Sequence, residues 1–129
     1  MNNPSLKAGA SDDILKNRTL VHHYQILLIN QVKGIKTSDD FIRDDYGLEK
    51  LDSICMQLIN IGEALKQIDI LTEQKLLQNY IEIDWKRAKG MRDIITHHYF
   101  DIDAETVFMV CTDHIPRMRN VIEKILHDL

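Results

Sequence analysis

The sequence has no apolar run long enough to cross a bilayer. Its unbroken apolar stretches, such as Ile26 to Ile29, fall far short of the roughly 20 residues that a spanning helix needs. No charged-then-apolar leader with a cleavage site opens it, so the expected location is the cytoplasm, with no membrane partner. Cysteine is scarce. Cys55 and Cys111 each sit inside an apolar helical pattern and outside any Cys-x-x-Cys pair, which suits reduced, packed thiols and argues against a disulfide framework. No Glu-x-x-His occurs and the pair His22-His23 has no matching ligand cluster, so neither a metal nor any other cofactor is expected. Positive charge is not in excess: Lys and Arg number 16 against 20 Asp and Glu, a formal net charge of -4. The chain as a whole is therefore no general adhesive for nucleic acid, and any contact with phosphates must come from a local cluster. No stretch alternates apolar and polar residues for long enough to be a convincing strand, and there is no internal repeat or low-complexity segment.

What is present reads as one all-α domain. A length of 129 residues, 44% of them hydrophobic and 28% charged, suits a single packed core. Residues 1–10, MNNPSLKAGA, are small and polar and read as a flexible tail, leaving 11–129 as the domain. From Ser11, a possible N-cap, apolar residues recur at helical spacing through Ile14, Val21, Tyr24, Leu28, Val32 and Ile35, with Gly34 near the end. Ser38 reads as the cap of a short helix holding Phe41 and Ile42. A second long helix is expected from near Leu48 to Ile68. Gly62 inside it costs about 1 kcal/mol relative to Ala, which points to a neighbour packed closely there. Thr72 could cap a brief helix ending near Tyr80, and Asp84 a main helix starting at Trp85, which Phe100 to Asp103 interrupts. Asp103 caps the last helix, with Ile102 and Val107 placed for a hydrophobic staple, and Pro116 imposes a kink or break before its end near His127. Four main helices with short connections make an antiparallel four-helix bundle with short extra helices.

Chemistry concentrates in WKRAKGMRDIITHHYFDID, residues 85–103. Lys86, Arg87, Lys89 and Arg92 form a basic cluster that suits either a solvated helix face or a phosphate-binding patch. Asp93 and His97 are i and i+4 on one stripe, so the carboxylate could hold the tautomer of an imidazole suited to exchanging protons near neutral pH. On a regular helix Arg92 and Tyr99 point within about 20° of each other, whereas Arg92 and His97 diverge by about 140°. Two ways remain to bring guanidinium and imidazole onto one phosphate: the helix distorts near His97, or two chains pair about a twofold axis and share a cleft. Each of these residues also has a plain structural reading. His97 could be a capping or core histidine, Arg92 could pair with a carboxylate on another helix, and Tyr99 could pack in the core. Glu63 could be a buried partner of Arg92.

The pattern Arg92, four residues, His97, one residue, Tyr99 resembles the Arg-x4-His-x-Tyr motif of HEPN ribonuclease toxins of the HepT type. Further matches are Gly62-Glu63-Ala64, Trp85, Gly90-Met91, Ile102-Asp103 and Pro116, so the likeness runs from about Leu20 to Leu126. Two positions depart from it. The second helix begins LEKLDSICMQLIN, without the arginine often found before the Gly-Glu-Ala element, and His98 stands where the family often has Glu. The resemblance implies a HEPN-like helical domain that forms a symmetric dimer or higher homo-oligomer and cleaves RNA without a metal. In that scheme His97 is general acid or base and Arg92 stabilises the phosphate transition state. Asp93 and Tyr99 support them, and Lys86, Arg87, Lys89 and His98 bind the RNA. It also implies a partner, a minimal nucleotidyltransferase antitoxin that silences the toxin by adding AMP to Tyr99. The alternative is a non-catalytic HEPN-like module, a regulatory subunit docking on such a nucleotidyltransferase.

Overall fold

The computed structural model describes residues 8–98 and 101–128, and all the regular structure among them is helical. Helix α1 spans Ala8–Val32, α2 Asp39–Ile42, α3 Asp45–Leu71 and α4 Trp85–His97, with a 3₁₀ turn at Leu77–Asn79. The last helical rod consists of α5 (Ala104–Met109), a π turn (Val110–His114) and α6 (Ile115–Asp128).

Boundaries follow local chemistry. Most of the expected tail, residues 1–7, lies outside the described residues. Ala8 to Ala10 form the first turn of α1, so Ser11 lies within the helix and does not cap it; the two alanines are the best of helix formers. The helix ends at Val32, short of Ile35, because Gly34 takes a φ of 89°. Ser38 stands before α2 but makes no capping bond; Asp40 in the helix instead ties down the approach to it, its carboxylate accepting from the backbone N–H groups of Lys36 and Thr37 at 2.8 and 3.2 Å. Helix α3 begins earlier than Leu48, at Asp45, capped by Asp44 through Gly47 N–H at 2.8 Å. A Cβ on Gly47 would stand 2.0 Å from the carbonyl oxygen of Asp40, so only glycine lets α3 start hard against α2.

Thr72 closes α3 and does not open the next element. Its hydroxyl donates to the Ile68 carbonyl at 2.7 Å, and Glu73 and Gln74 then turn the chain with φ of 54° and 64°. Asp84 caps α4 by accepting from Arg87 N–H, and Asp103 caps α5 by accepting from Glu105 N–H, both as the sequence suggests. Pro116 has no N–H to offer the Thr112 carbonyl, and the expected kink takes the form of a π turn in which Ile115 N–H reaches back to Val110.

The elements form an antiparallel bundle. Asp69 meets Lys89 while Lys66 meets Asp93, so α3 and α4 run in opposite directions. Gln31 meets Ser53, placing the end of α1 beside the start of α3, and His22 meets Glu123 from α6. The core between them holds fully buried Val21, Leu28, Ile54, Leu65, Ile68, Ile122 and Ile125. Both cysteines are free and buried in it; burial pushes the Cys55 thiol up to about 11 and the Cys111 thiol up to about 12. Among the described residues no helix is long and apolar enough to cross a membrane.

Candidate active site

The site is built where α4 crosses α3 at Gly62. A Cβ there would lie 2.9 Å from Arg92 Cβ and 3.3 Å from the Lys89 carbonyl oxygen, so the absent side chain is what allows the two backbones to approach. This is the close neighbour that an interior glycine implied. The helix-helix seam is then laced by charge. Arg92 Nη1 donates to Asp93 at 2.9 Å and Arg92 Nε faces Glu63 at 3.4 Å, while Lys66 Nζ reaches both Asp93 oxygens at 3.2 and 3.1 Å. Lower down, Lys89 is paired with the buried carboxylate of Asp69.

These pairings set the electrostatics. The bond to Asp93, and then the nearby Glu63 charge, raise the Arg92 pKa further, so the guanidinium is permanently cationic. The hydrogen bond from Arg92, reinforced by Lys66, holds the Asp93 carboxyl below the usual carboxylate range. Asp93 thus spends its hydrogen bonds on Arg92 and Lys66 and not on His97. Glu63 does partner Arg92, but its side chain is 50% exposed, so the pair is a surface one and not the buried pair that the sequence allowed. The guanidinium makes one hydrogen bond, to Asp93, and a longer ion pair with Glu63 at 3.4 Å, so donors are left to meet an incoming anion.

His97 ends α4 and is exposed, with no hydrogen-bond or ion-pair partner among the described residues; His98 beside it is exposed too. Lys86 and Arg87 are exposed at the opposite end of the helix. Lys89 stands apart from them because Asp69 holds it. Tyr99 lies outside the described residues. Of the residues singled out from the sequence, the fold brings Arg92 and Asp93 together with Glu63. It leaves His97 free at the helix end. Sequence reasoning missed Lys66 and Asp69, although both lie near Gly62 on α3, the residue that marked the crossing point. Among the described residues no group of three or more His, Cys, Asp or Glu side chains could hold a metal ion.

Comparison with known proteins gives a consistent result. The family profile described as "Ribonuclease HepT-like" matches residues 23–125. A Methanocaldococcus jannaschii protein described as "Gamma-glutamylcyclotransferase and putative RNase" is 32% identical over 104 residues, covering 81% of this chain and 44% of that protein. The chain thus spans less than half the length of this relative. Another protein from that organism, named as a putative RNase, is 28% identical over 72% of this chain and 71% of its own length. A third, with the same designation, from Caldanaerobacter subterraneus subsp. tengcongensis is 28% identical over 77% of this chain and 81% of its own length. No solved structure matches.

Proposed function

This chain belongs to the ribonuclease HepT-like family, and from that membership we propose that it is a metal-independent RNA endonuclease acting as the toxin of a toxin-antitoxin pair. The observation that carries the reading is an unclaimed, exposed imidazole, His97, at the end of the helix whose middle presents the partly exposed guanidinium of Arg92. His97 removes the proton from a ribose 2′-hydroxyl or protonates the departing oxygen. The 2′-oxygen forms a bond to phosphorus as the bond to the 5′-oxygen breaks, leaving a cyclic phosphate and sparing DNA, which lacks the nucleophile. Arg92 meets the charge that builds on the phosphoryl oxygens. Unpaired RNA, in a loop or at an end, is the target, with Lys86, Arg87 and His98 holding the strand. Lys89 contributes least, because its charge is already answered by Asp69.

A symmetric dimer is part of this proposal. On one helix Arg92 and His97 diverge by about 140°, so Arg92 from one copy and His97 from another acting in a shared cleft is the simplest way to serve one phosphate. Tyr99 is the proposed site of silencing by AMP addition from a minimal nucleotidyltransferase antitoxin in the cytoplasm, since an anion added to the motif would oppose the binding of RNA phosphates. One feature favours the second reading, a non-catalytic module docking on that nucleotidyltransferase: Arg92 and Lys66 are already balanced by Asp93 and Glu63. The two are separated by incubating the purified protein with RNA in EDTA. Cleavage that disappears in His97→Ala supports the enzyme. Intact RNA together with AMP found on Tyr99 by mass spectrometry supports the module, and cleavage undiminished in a well-folded His97→Ala sinks the enzymatic assignment.

A further inference from the structure

On the other side of α4 a cavity of about 300 Å³ opens between α3, the 82–84 segment, α4 and the π turn, at the lower end of the sizes that hold small ligands. Leu58, Ile61, Met91 and Met118 form its apolar floor. Five polar side chains line it, and of these Arg117 is held by Asp113 at 3.2 Å while the other four matter here. The guanidinium of Arg87 and the imidazole of His114 have no hydrogen-bond or ion-pair partner among the described residues. Asp84 spends one oxygen on its capping bond to Arg87 N–H, and Glu82 has only a long contact of 4.0 Å with Lys124. His114 is the last residue of the π turn, and such turns are frequent at functional sites.

We infer that this cavity is a binding site for a nucleoside monophosphate unit whose base carries an exocyclic amine, either free or as one residue of an RNA strand. Each part of the unit finds a counterpart. The thioethers of Met91 and Met118 suit the edge or face of a flat aromatic ring, free carboxylate oxygens of Glu82 and Asp84 accept from a base amine, and Arg87 with His114 supplies donors for the phosphate. A fatty acid would leave the carboxylates without donors, and a bare phosphate would leave the apolar floor uncovered. Arg87 lies about 140° around and about 7.5 Å along the helix from Arg92, so the pocketed nucleotide is not the one cut. For the strand-borne form, and only for it, the inference rests on the ribonuclease reading.

The test is a titration of the full chain with CMP, UMP and ribose 5-phosphate, followed by the methionine methyl resonances and by calorimetry. CMP is expected to shift the Met91 and Met118 methyls and to bind on the order of tenfold more tightly than the other two, because UMP offers an acceptor where CMP has its amine. Arg87→Gln and His114→Gln, each checked for helicity by circular dichroism, should weaken CMP on the order of tenfold, while His97→Ala should not change its binding. Equal binding of all three ligands, retention of CMP affinity in both variants, or methyl shifts caused only by self-association of the chain would overturn the proposal. In the RNA arm, Glu82→Ala should reduce the preference for cytidine-containing over uridine-only oligonucleotides, whereas Arg87→Gln should weaken both. If wild-type protein leaves RNA intact yet binds CMP at these methyls, the ribonuclease reading fails and the pocket stands as a site for the free nucleotide.

Discussion

Helix α3 presents two seams of opposite character. Toward α1 and α6 it buries Ile54, Leu58, Leu65 and Ile68, a largely apolar interface crossed near its end by the Gln31–Ser53 hydrogen bond. Toward α4 it closes over Gly62 and then lines up Glu63, Lys66 and Asp69 against Lys89, Arg92 and Asp93. The apolar seam removes area from water and sets stability. Apart from the pair that Lys89 makes with buried Asp69, the charged seam is partly solvated, so its ion pairs add little to stability and chiefly fix where the guanidinium points. Stability and chemistry should therefore separate along the two sides of one helix.

The largest effect expected is on activity alone. His97→Ala should lower RNA cleavage by roughly 10² to 10⁴-fold, the usual contribution of a positioned acid or base, and leave the thermal midpoint where it was, because the side chain is exposed. An equal fall in both quantities would mean that His97 is structural. The converse substitution is Leu65→Ala on the apolar seam. It should lose about 2 to 5 kcal/mol in urea unfolding while each folded molecule cleaves as before. A specific activity that collapses with Leu65 would show that the two seams are not independent.

Gly62→Ala lies where the seams meet and should do some of both. Alanine favours the helix by about 1 kcal/mol, yet its methyl would stand 2.9 Å from Arg92 Cβ, an atom tied to the backbone that cannot swing away. Overpacking of this kind costs about 1 to 3 kcal/mol, so a net loss smaller than that of Leu65→Ala is expected. It should be accompanied by weaker cleavage as α4 shifts and carries Arg92 with it. A variant more stable than the wild type, with full activity, would show that the crossing is looser than the backbone approach implies.

The same asymmetry decides what could be read in advance. The apolar seam was legible because helical spacing alone assigns Val21, Leu28, Ile54, Leu58 and Leu65 to one side of each helix. The caps at Asp84 and Asp103 were legible too, since an N-cap uses only its own neighbours in sequence. The start of α3 was misplaced because Gly47, ordinarily a helix breaker, is held there by contact with α2. Thr72 was misread because its hydroxyl can serve either end of a helix, and the positive φ angles after it made the choice. At the site, the spacing of Asp93 and His97 suggested a local pair, but the carboxylate turned to Lys66. That partner comes from another helix, and only the crossing at Gly62 brings it near.

The smallest effect tests the charged seam directly and depends on the sign of one shift. Arg92 and Lys66 hold the Asp93 carboxyl below its ordinary value, so its contribution to stability is present above the usual carboxylate range and is lost as pH falls through the lowered value in the folded state. Arg92 is shifted the other way, upward, and stays charged throughout that window. Followed by carboxyl NMR, the midpoint of Asp93 should rise in Lys66→Gln but stop short of the ordinary value, because the stronger hydrogen bond, from Arg92, survives. In Arg92→Gln it should rise further. If Lys66→Gln moved the midpoint more than Arg92→Gln, the guanidinium would not be the main holder of Asp93, and the aim of Arg92 would have to be set by Glu63 instead.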